Sequence, residues 1–174
     1  KGIEGMDIDI QAASGNAAIS SEGYALAGRG RVDVLGETAT TTTFESTLQT
    51  QFILPIDVID DIIIVEGKIT HAFGSTLNKT AVLYTTATIE ETGESITHTT
   101  YLQSNIKNKI TELIPQTLLD GIKSGNKVTV TITRKAATGE DNSDRNSVIL
   151  KSINVKLNRA TAPVQGTSNK FSIQ

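Results

Sequence analysis

Apolar and polar residues alternate with period two along much of this chain. Between Lys127 and Arg134, Val128, Val130 and Ile132 alternate with Thr129, Thr131 and Thr133. That is the pattern of a strand with one buried face and one solvated, β-branched face. In a second long run, Ser147 to Leu157, Val148 and Leu150 share one parity while Ile153, Val155 and Leu157 share the other. The apolar phase switches at Lys151-Ser152, where one extra residue, a β-bulge, re-aims the side chains. The polar stretch Lys135 to Asn146 between the two runs is too long for a tight hairpin. The two runs are expected to be long strands of one sheet that closes a sandwich, with Arg134 and the Glu140 to Asp144 loop at one rim.

The same pattern predicts further strands upstream. Phe44 to Leu54 reads as a strand stopped by Pro55, which lacks the N–H a central strand needs. Asp57 to Asp61 reads as a turn, and Ile62 to Ala72 as the next strand. Its run Ile62-Ile-Ile-Val65 would invite aggregation on an open edge and is flanked by Asp60, Asp61, Glu66 and Lys68, so a central position is expected. Lys79 to Glu90 follows, with Val82, Tyr84, Thr86 and Thr88 on one face and Ala81, Leu83, Thr85, Ala87 and Ile89 on the other. Glu91-Thr-Gly-Glu94 is a hairpin connection to Ser95 to Leu102.

Ser104 to Leu113 fits two periods. Ile106, Ile110, Leu113 and Ile114 suit a helix, while Lys109 to Ile114 suits a strand ending before Pro115, and the strand is preferred over the second half. Gln116 to Ile122 is expected to form one helical turn closed by Gly125. Seven or eight strands with turn signals about every ten residues define an all-β chain, an antiparallel β-sandwich.

Composition adds flanking segments. Half of the 14 Gly residues fall in the first 36 positions, mixed with Ala and Ser. Residues 1–36 are therefore expected to be an extended N-terminal arm or linker that orders against a partner, with short strands over Met6 to Ile10 and Arg31 to Leu35. Residues 37–158 form the sandwich domain, and residues 159–174, polar and bearing Gly and Pro, form an exit linker or docking arm. The chain begins at Lys1 rather than Met, as a fragment or processed form would.

Charge and residue usage then narrow the chemistry. A net charge of -3 with both signs interspersed leaves no footprint for nucleic acid or an anionic membrane. Cys is absent, which removes disulfides, thiol catalysis and Cys-based zinc sites. No apolar run approaches the roughly 20 residues of a membrane span. With no Trp and 4% aromatic residues, the core must be aliphatic.

His71 and His98, the only imidazoles, sit among Thr, Ile and Ala in predicted strands, and a sheet-surface histidine is the plainer reading than catalyst or metal ligand. Glu140-Asp141-Asn-Ser-Asp144 has the oxygens of a calcium loop but lacks the alternating carboxylates and closing Glu of an EF-hand, so a solvated turn is expected. Asp57, Asp60 and Asp61 are read the same way. Gly28-Arg-Gly-Arg31 lacks the strand and helix of a phosphate loop and the repetition of an RNA-binding motif. Asn78-Lys-Thr80 matches the glycosylation pattern, which arises often by chance. For glycan binding, the lack of Trp and the few tyrosines, Tyr24, Tyr84 and Tyr101, remove the usual stacking platforms. No catalytic, cofactor or metal residues are assigned, and no enzymatic activity is expected.

Three features together resemble the jelly-roll domains of tailed-bacteriophage virion proteins, found in tail fibres, baseplates and head fibres or decorations. They are Phe44 to Pro55 ending in Phe-Ile-Leu-Pro, the strands around Glu91-Thr-Gly-Glu94, and Ile122-Lys-Ser-Gly-Asn-Lys-Val-Thr-Val-Thr-Ile-Thr-Arg134 followed by an acidic loop and a last long strand. The resemblance covers about Glu37 to Asn158. It implies a non-enzymatic virion component, commonly a homotrimer, that assembles with other virion proteins, with a host-surface glycan as a further candidate partner. A carbohydrate-binding module or surface adhesin is the alternative.

Overall fold

The computed structural model describes residues 2–8, 18–20, 23–26, 44–71, 80–103, 105–136, 141 and 147–160. Among the described residues, ten strands run in chain order as β1 (Gly2–Ile8), β2 (Ala18–Ser20), β3 (Gly23–Leu26), β4 (Phe44–Ile53), β5 (Val58–His71), β6 (Ala81–Ile89), β7 (Ser95–Leu102), β8 (Ile106–Leu118), β9 (Lys127–Ala136) and β10 (Val148–Arg159). They form two antiparallel sheets. One has the order β2-β3-β10-β5-β8, with β1 also paired to β10, and the other has the order β4-β9-β6-β7.

Counting the eight strands from β3 to β10, the first sheet holds the first, eighth, third and sixth, and the second holds the second, seventh, fourth and fifth. This interleaving of two Greek keys is the jelly roll. The chain is thus the all-β sandwich its alternation predicts. The same topology corrects one expectation: β9 and β10 are not partners. They lie in opposite sheets, so the segment between them crosses the sandwich rather than turning a hairpin.

The inner faces follow the parity of each strand. Leu48 and Phe52 of β4, Val128, Val130 and Ile132 of β9, and Leu83, Ala87 and Ile89 of β6 face Ile63, Val65 and Ile69 of β5 and the apolar residues of β10. All are buried. The phase switch in β10 is real: Leu150 pairs with Ile69 and Ser152 with Lys68, which leaves Lys151 as the extra residue of a bulge. Val148 and Leu150 before it, and Ile153, Val155 and Leu157 after it, are all directed inward. Gly67 makes room for this packing. A Cβ there would lie 2.8 Å from the terminal methyls of both Leu113 and Leu150, inside contact distance.

Several boundaries differ from the sequence reading. β5 starts at Val58 rather than after Asp61, because Val58 pairs with Arg159 at the end of β10. Its run Ile62 to Val65 is central as expected, held between β10 and β8. β8 does not stop at Pro115. It is an edge strand, and its register against β5 shifts between Ile114 and Thr117, so the missing N–H of Pro115 breaks no ladder bond. The expected helical turn over Gln116 to Ile122 is absent: β8 runs to Leu118, and a turn through Asp120 and Gly121 follows. The Glu91 to Glu94 hairpin is present, with Gly93 at φ 77 supplying the left-handed residue. β10 continues two residues past Leu157.

In the N-terminal segment, β1 starts earlier than Met6 and lies on the sheet, while Arg31 to Leu35 fall outside the described residues. The hydrogen-bonding partner of this segment lies within the chain, on the free edge of β10. β3 takes Val148 to Leu150 and β1 takes Ile153 to Arg159.

Candidate functional site

Two regions collect polar chemistry: the end of the sandwich where β5, β6 and β9 meet the segment before β10, and the outer face of the four-stranded sheet.

At the first, Arg134 follows Val128, Val130 and Ile132 on the inward parity of β9 and is fully buried. Its guanidinium donates from Nε to Asp141 Oδ2 at 2.9 Å and from Nη2 to Asp141 Oδ1 at 3.2 Å. Nη1 donates to the carbonyl of Leu26 at 3.1 Å. Asp141 Oδ2 also accepts the Val82 N–H at 3.0 Å. The pair therefore ties together β9, the β9–β10 connection, β3 and the start of β6. Arg134 is not at a solvated rim, and Asp141 is not part of a solvated turn; Glu140, Asn142, Ser143 and Asp144 lie outside the described residues.

His71 lies at the same end of the sandwich and is buried, not on the sheet surface as expected. It shares the inward parity of Ile63, Val65 and Ile69. Burial, and then the positive charge of Arg134, lower its pKa to about 4, with Asp141 acting in the opposite direction. Near neutral pH the imidazole is uncharged. An aspartate already bridging a guanidinium and a backbone N–H holds strands together, and this cluster acts as a structural lock. His98 is half-buried on β7, opposite Thr85.

The remaining aspartates are also placed as structural groups. Asp57 pairs with Arg159 at 2.8 Å, and Asp61 Oδ1 accepts the Ile122 N–H at 3.0 Å. Asp60 accepts from Asn158 Nδ2 at 3.3 Å. Among the described residues, no group of three or more His, Asp or Glu is placed to hold a metal ion. Gly28 to Arg31 and Asn78 lie outside the described residues.

The outer face of the four-stranded sheet is a field of hydroxyls. Thr131 and Thr133 of β9, Thr86 and Thr88 of β6, and Thr97 and Thr99 of β7 share it, and Thr86 and Thr97 bond directly at 2.8 Å. Tyr84 pairs with Thr99, and Tyr101 pairs with Val82, so the two tyrosines are diagonal neighbours on this face. Tyr101 is 50% exposed, and the Lys135 ammonium stands 6.0 Å from the centre of the Tyr84 ring. Tyr24, by contrast, packs against the core.

No protein-family model and no curated protein matches the chain. Among solved structures it is similar to a xylan-binding module, at 14% identity over 91% of this chain and 100% of that one, with a TM-score of 0.48. It is similar to a chain of infectious bursal disease virus at 14% identity, covering 92% of this chain and 33% of that one, with a TM-score of 0.45. A third is the enzymatically active domain of a bacteriophage CBA120 tailspike, at 9% identity over 88% of this chain and 19% of that one, with a TM-score of 0.39. These likenesses concern strand arrangement, at identities too low to place any residue's role.

Proposed function

We propose that the chain is a non-enzymatic structural module of a tailed-bacteriophage virion, a jelly roll that assembles as a homotrimer with other virion proteins and displays its four-stranded sheet outward. The observation that supports this reading most is the placement of β1. Seven consecutive residues, Gly2 to Ile8, pair with β10 from Arg159 back to Ile153. The rest of the jelly roll does not need this strand, because β3 already occupies the first-strand position beside β10. A Gly-rich segment held along a sheet edge by backbone hydrogen bonds is the geometry of strand addition, which serves equally within one chain and between neighbours.

Deleting residues 1–10 is expected to leave the sandwich folded by circular dichroism while reducing a discrete oligomer to smaller species by light scattering. It would also open the β10 edge between Ile153 and Arg159 and promote sheet-edge aggregation at high concentration. A truncated chain with the same number of subunits and the same symmetry as the intact one would count against the reading.

A glycan-binding module is the second reading, favoured by Tyr84 and Tyr101 standing side by side on the threonine-rich face. Aromatic rings offer an apolar surface to a sugar face, and the surrounding hydroxyls offer donors and acceptors. On a glycan array, this reading predicts selective binding that is lost in both Tyr84→Ala and Tyr101→Ala. Absence of selective binding by the intact chain would remove it.

A further inference from the structure

At the His71 end of the six-stranded sheet is a cleft of about 260 Å³ lined by Thr70, His71, Asn105, Ile106, Lys107, Asn108 and Lys151. Two irregularities of the backbone build it. Lys151 is the extra residue of the β10 bulge, set between the Leu150–Ile69 and Ser152–Lys68 pairs. Asn108 is the one non-glycine residue with positive φ among the described residues, at 52°. That conformation is uncommon for a side-chain-bearing residue and is kept where the surroundings enforce it. Here Thr70 enforces it: the Asn108 N–H donates to Thr70 Oγ1 at 3.1 Å, and Thr70 Oγ1 donates to Asn108 Oδ1 at 3.3 Å.

The resulting inventory is rich in donors. With Oδ1 of Asn108 engaged by Thr70, its Nδ2 remains as a donor. Lys107 and Lys151 bring two ammonium groups, and neither forms an ion pair among the described residues. Arg134, whose charge acts on His71, is already bridged to Asp141. An otherwise acidic chain thus gathers two uncompensated cations around a cleft, alongside an amide donor and the aliphatic side chain of Ile106. The volume lies just below the roughly 300–1,000 Å³ of drug-sized pockets, which suits one ring rather than an extended ligand.

We propose that this cleft binds a carboxylate-bearing sugar residue at the end of a glycan chain, with Lys107 and Lys151 on the carboxylate, Asn108 on a ring hydroxyl and Ile106 against the apolar face of the ring. The site is independent of β1 and of the tyrosine face, so it stands or falls apart from either reading above. Charge-assisted hydrogen bonds to a carboxylate contribute about 1.5–3 kcal/mol each, so losing one lysine weakens binding about tenfold or more.

The test uses the intact chain, labelled with ¹⁵N and titrated by NMR with galacturonate, digalacturonate, galactose and inorganic phosphate. The proposal expects galacturonate and digalacturonate to shift the amides of Thr70, Ile106, Asn108 and Lys151, with galactose at least tenfold weaker. Lys107→Gln and Lys151→Gln should each weaken galacturonate about tenfold and leave thermal stability unchanged, since both side chains reach solvent. Galactose binding as well as galacturonate, phosphate binding as tightly as the sugar acid, digalacturonate failing to bind, or the double lysine variant retaining full affinity would each overturn it.

Discussion

Replacing Asp141 with alanine is expected to lower the stability of the sandwich by about 3–5 kcal/mol in urea denaturation. The side chains of Arg134 and Asp141 are 0% and 1% exposed. Removing the carboxylate leaves a guanidinium out of water without its counter-ion and without the two hydrogen bonds it gave to Asp141, and it takes the acceptor from the Val82 N–H as well. The loss should fall on tertiary structure as a whole, because the pair joins both sheets through β3, β6 and β9. A second variant separates the value of the pair from the penalty of breaking it. Arg134→Met combined with Asp141→Leu replaces the ions with apolar groups, and such replacements are often neutral or stabilising. The double variant should therefore be clearly more stable than Asp141→Ala. A single-variant loss below about 1 kcal/mol would mean that the pair is hydrated in solution.

Stability should also fall as the pH drops from about 6.5 to about 4, by roughly 3 kcal/mol from His71 alone. The sign follows from the direction of the shift. The folded-state pKa, about 4, lies below the ordinary value of 6.5, so in this window the unfolded chain takes up a proton that the folded chain refuses. The contribution is complete above the ordinary value and is lost as the pH falls to the folded one. Burial is the largest cause of the depression, and the Arg134 charge adds to it while Asp141 opposes it. Carboxylates titrate in the lower part of the same range, so the comparison must be with a variant. The stability difference between the native chain and His71→Gln should narrow between pH 7 and pH 4. Parallel curves would contradict this, showing that His71 takes up its proton at the same pH in the folded and unfolded chain.

These two residues also show what the sequence disclosed and what it did not. Strand positions, the central place of Ile62 to Val65 and the bulge at Lys151 were legible, because alternation directly reports which side chains face inward. The buried lock was legible too, but by following the pattern one step further. Arg134 continues the parity of Val128, Val130 and Ile132, and His71 continues that of Ile63, Val65 and Ile69. Charge and polarity argued for the surface, while periodicity placed both inside; the periodicity prevailed because Asp141 supplies a partner for the guanidinium.

Other features depend on pairings far apart in sequence, which local pattern cannot report. β9 and β10 are adjacent along the chain yet lie in opposite sheets, as the strand order of a jelly roll requires. Pro115 looked like a strand terminus because only the three-dimensional arrangement makes β8 an edge. The Lys107 and Lys151 cleft joins residues more than forty positions apart, through a register shift and one left-handed asparagine, and nothing local in the sequence marks it. Tyr84 and Tyr101 were singled out individually, but their adjacency depends on the β6–β7 register set by the Glu91 to Glu94 hairpin.

The proposed role in virion assembly is tested most directly by native mass spectrometry of the intact chain, with symmetry read from negative-stain class averages. A closed homotrimer with three-fold symmetry is the expected result. A chain that stays strictly monomeric at every concentration, and binds no other virion protein, would contradict it.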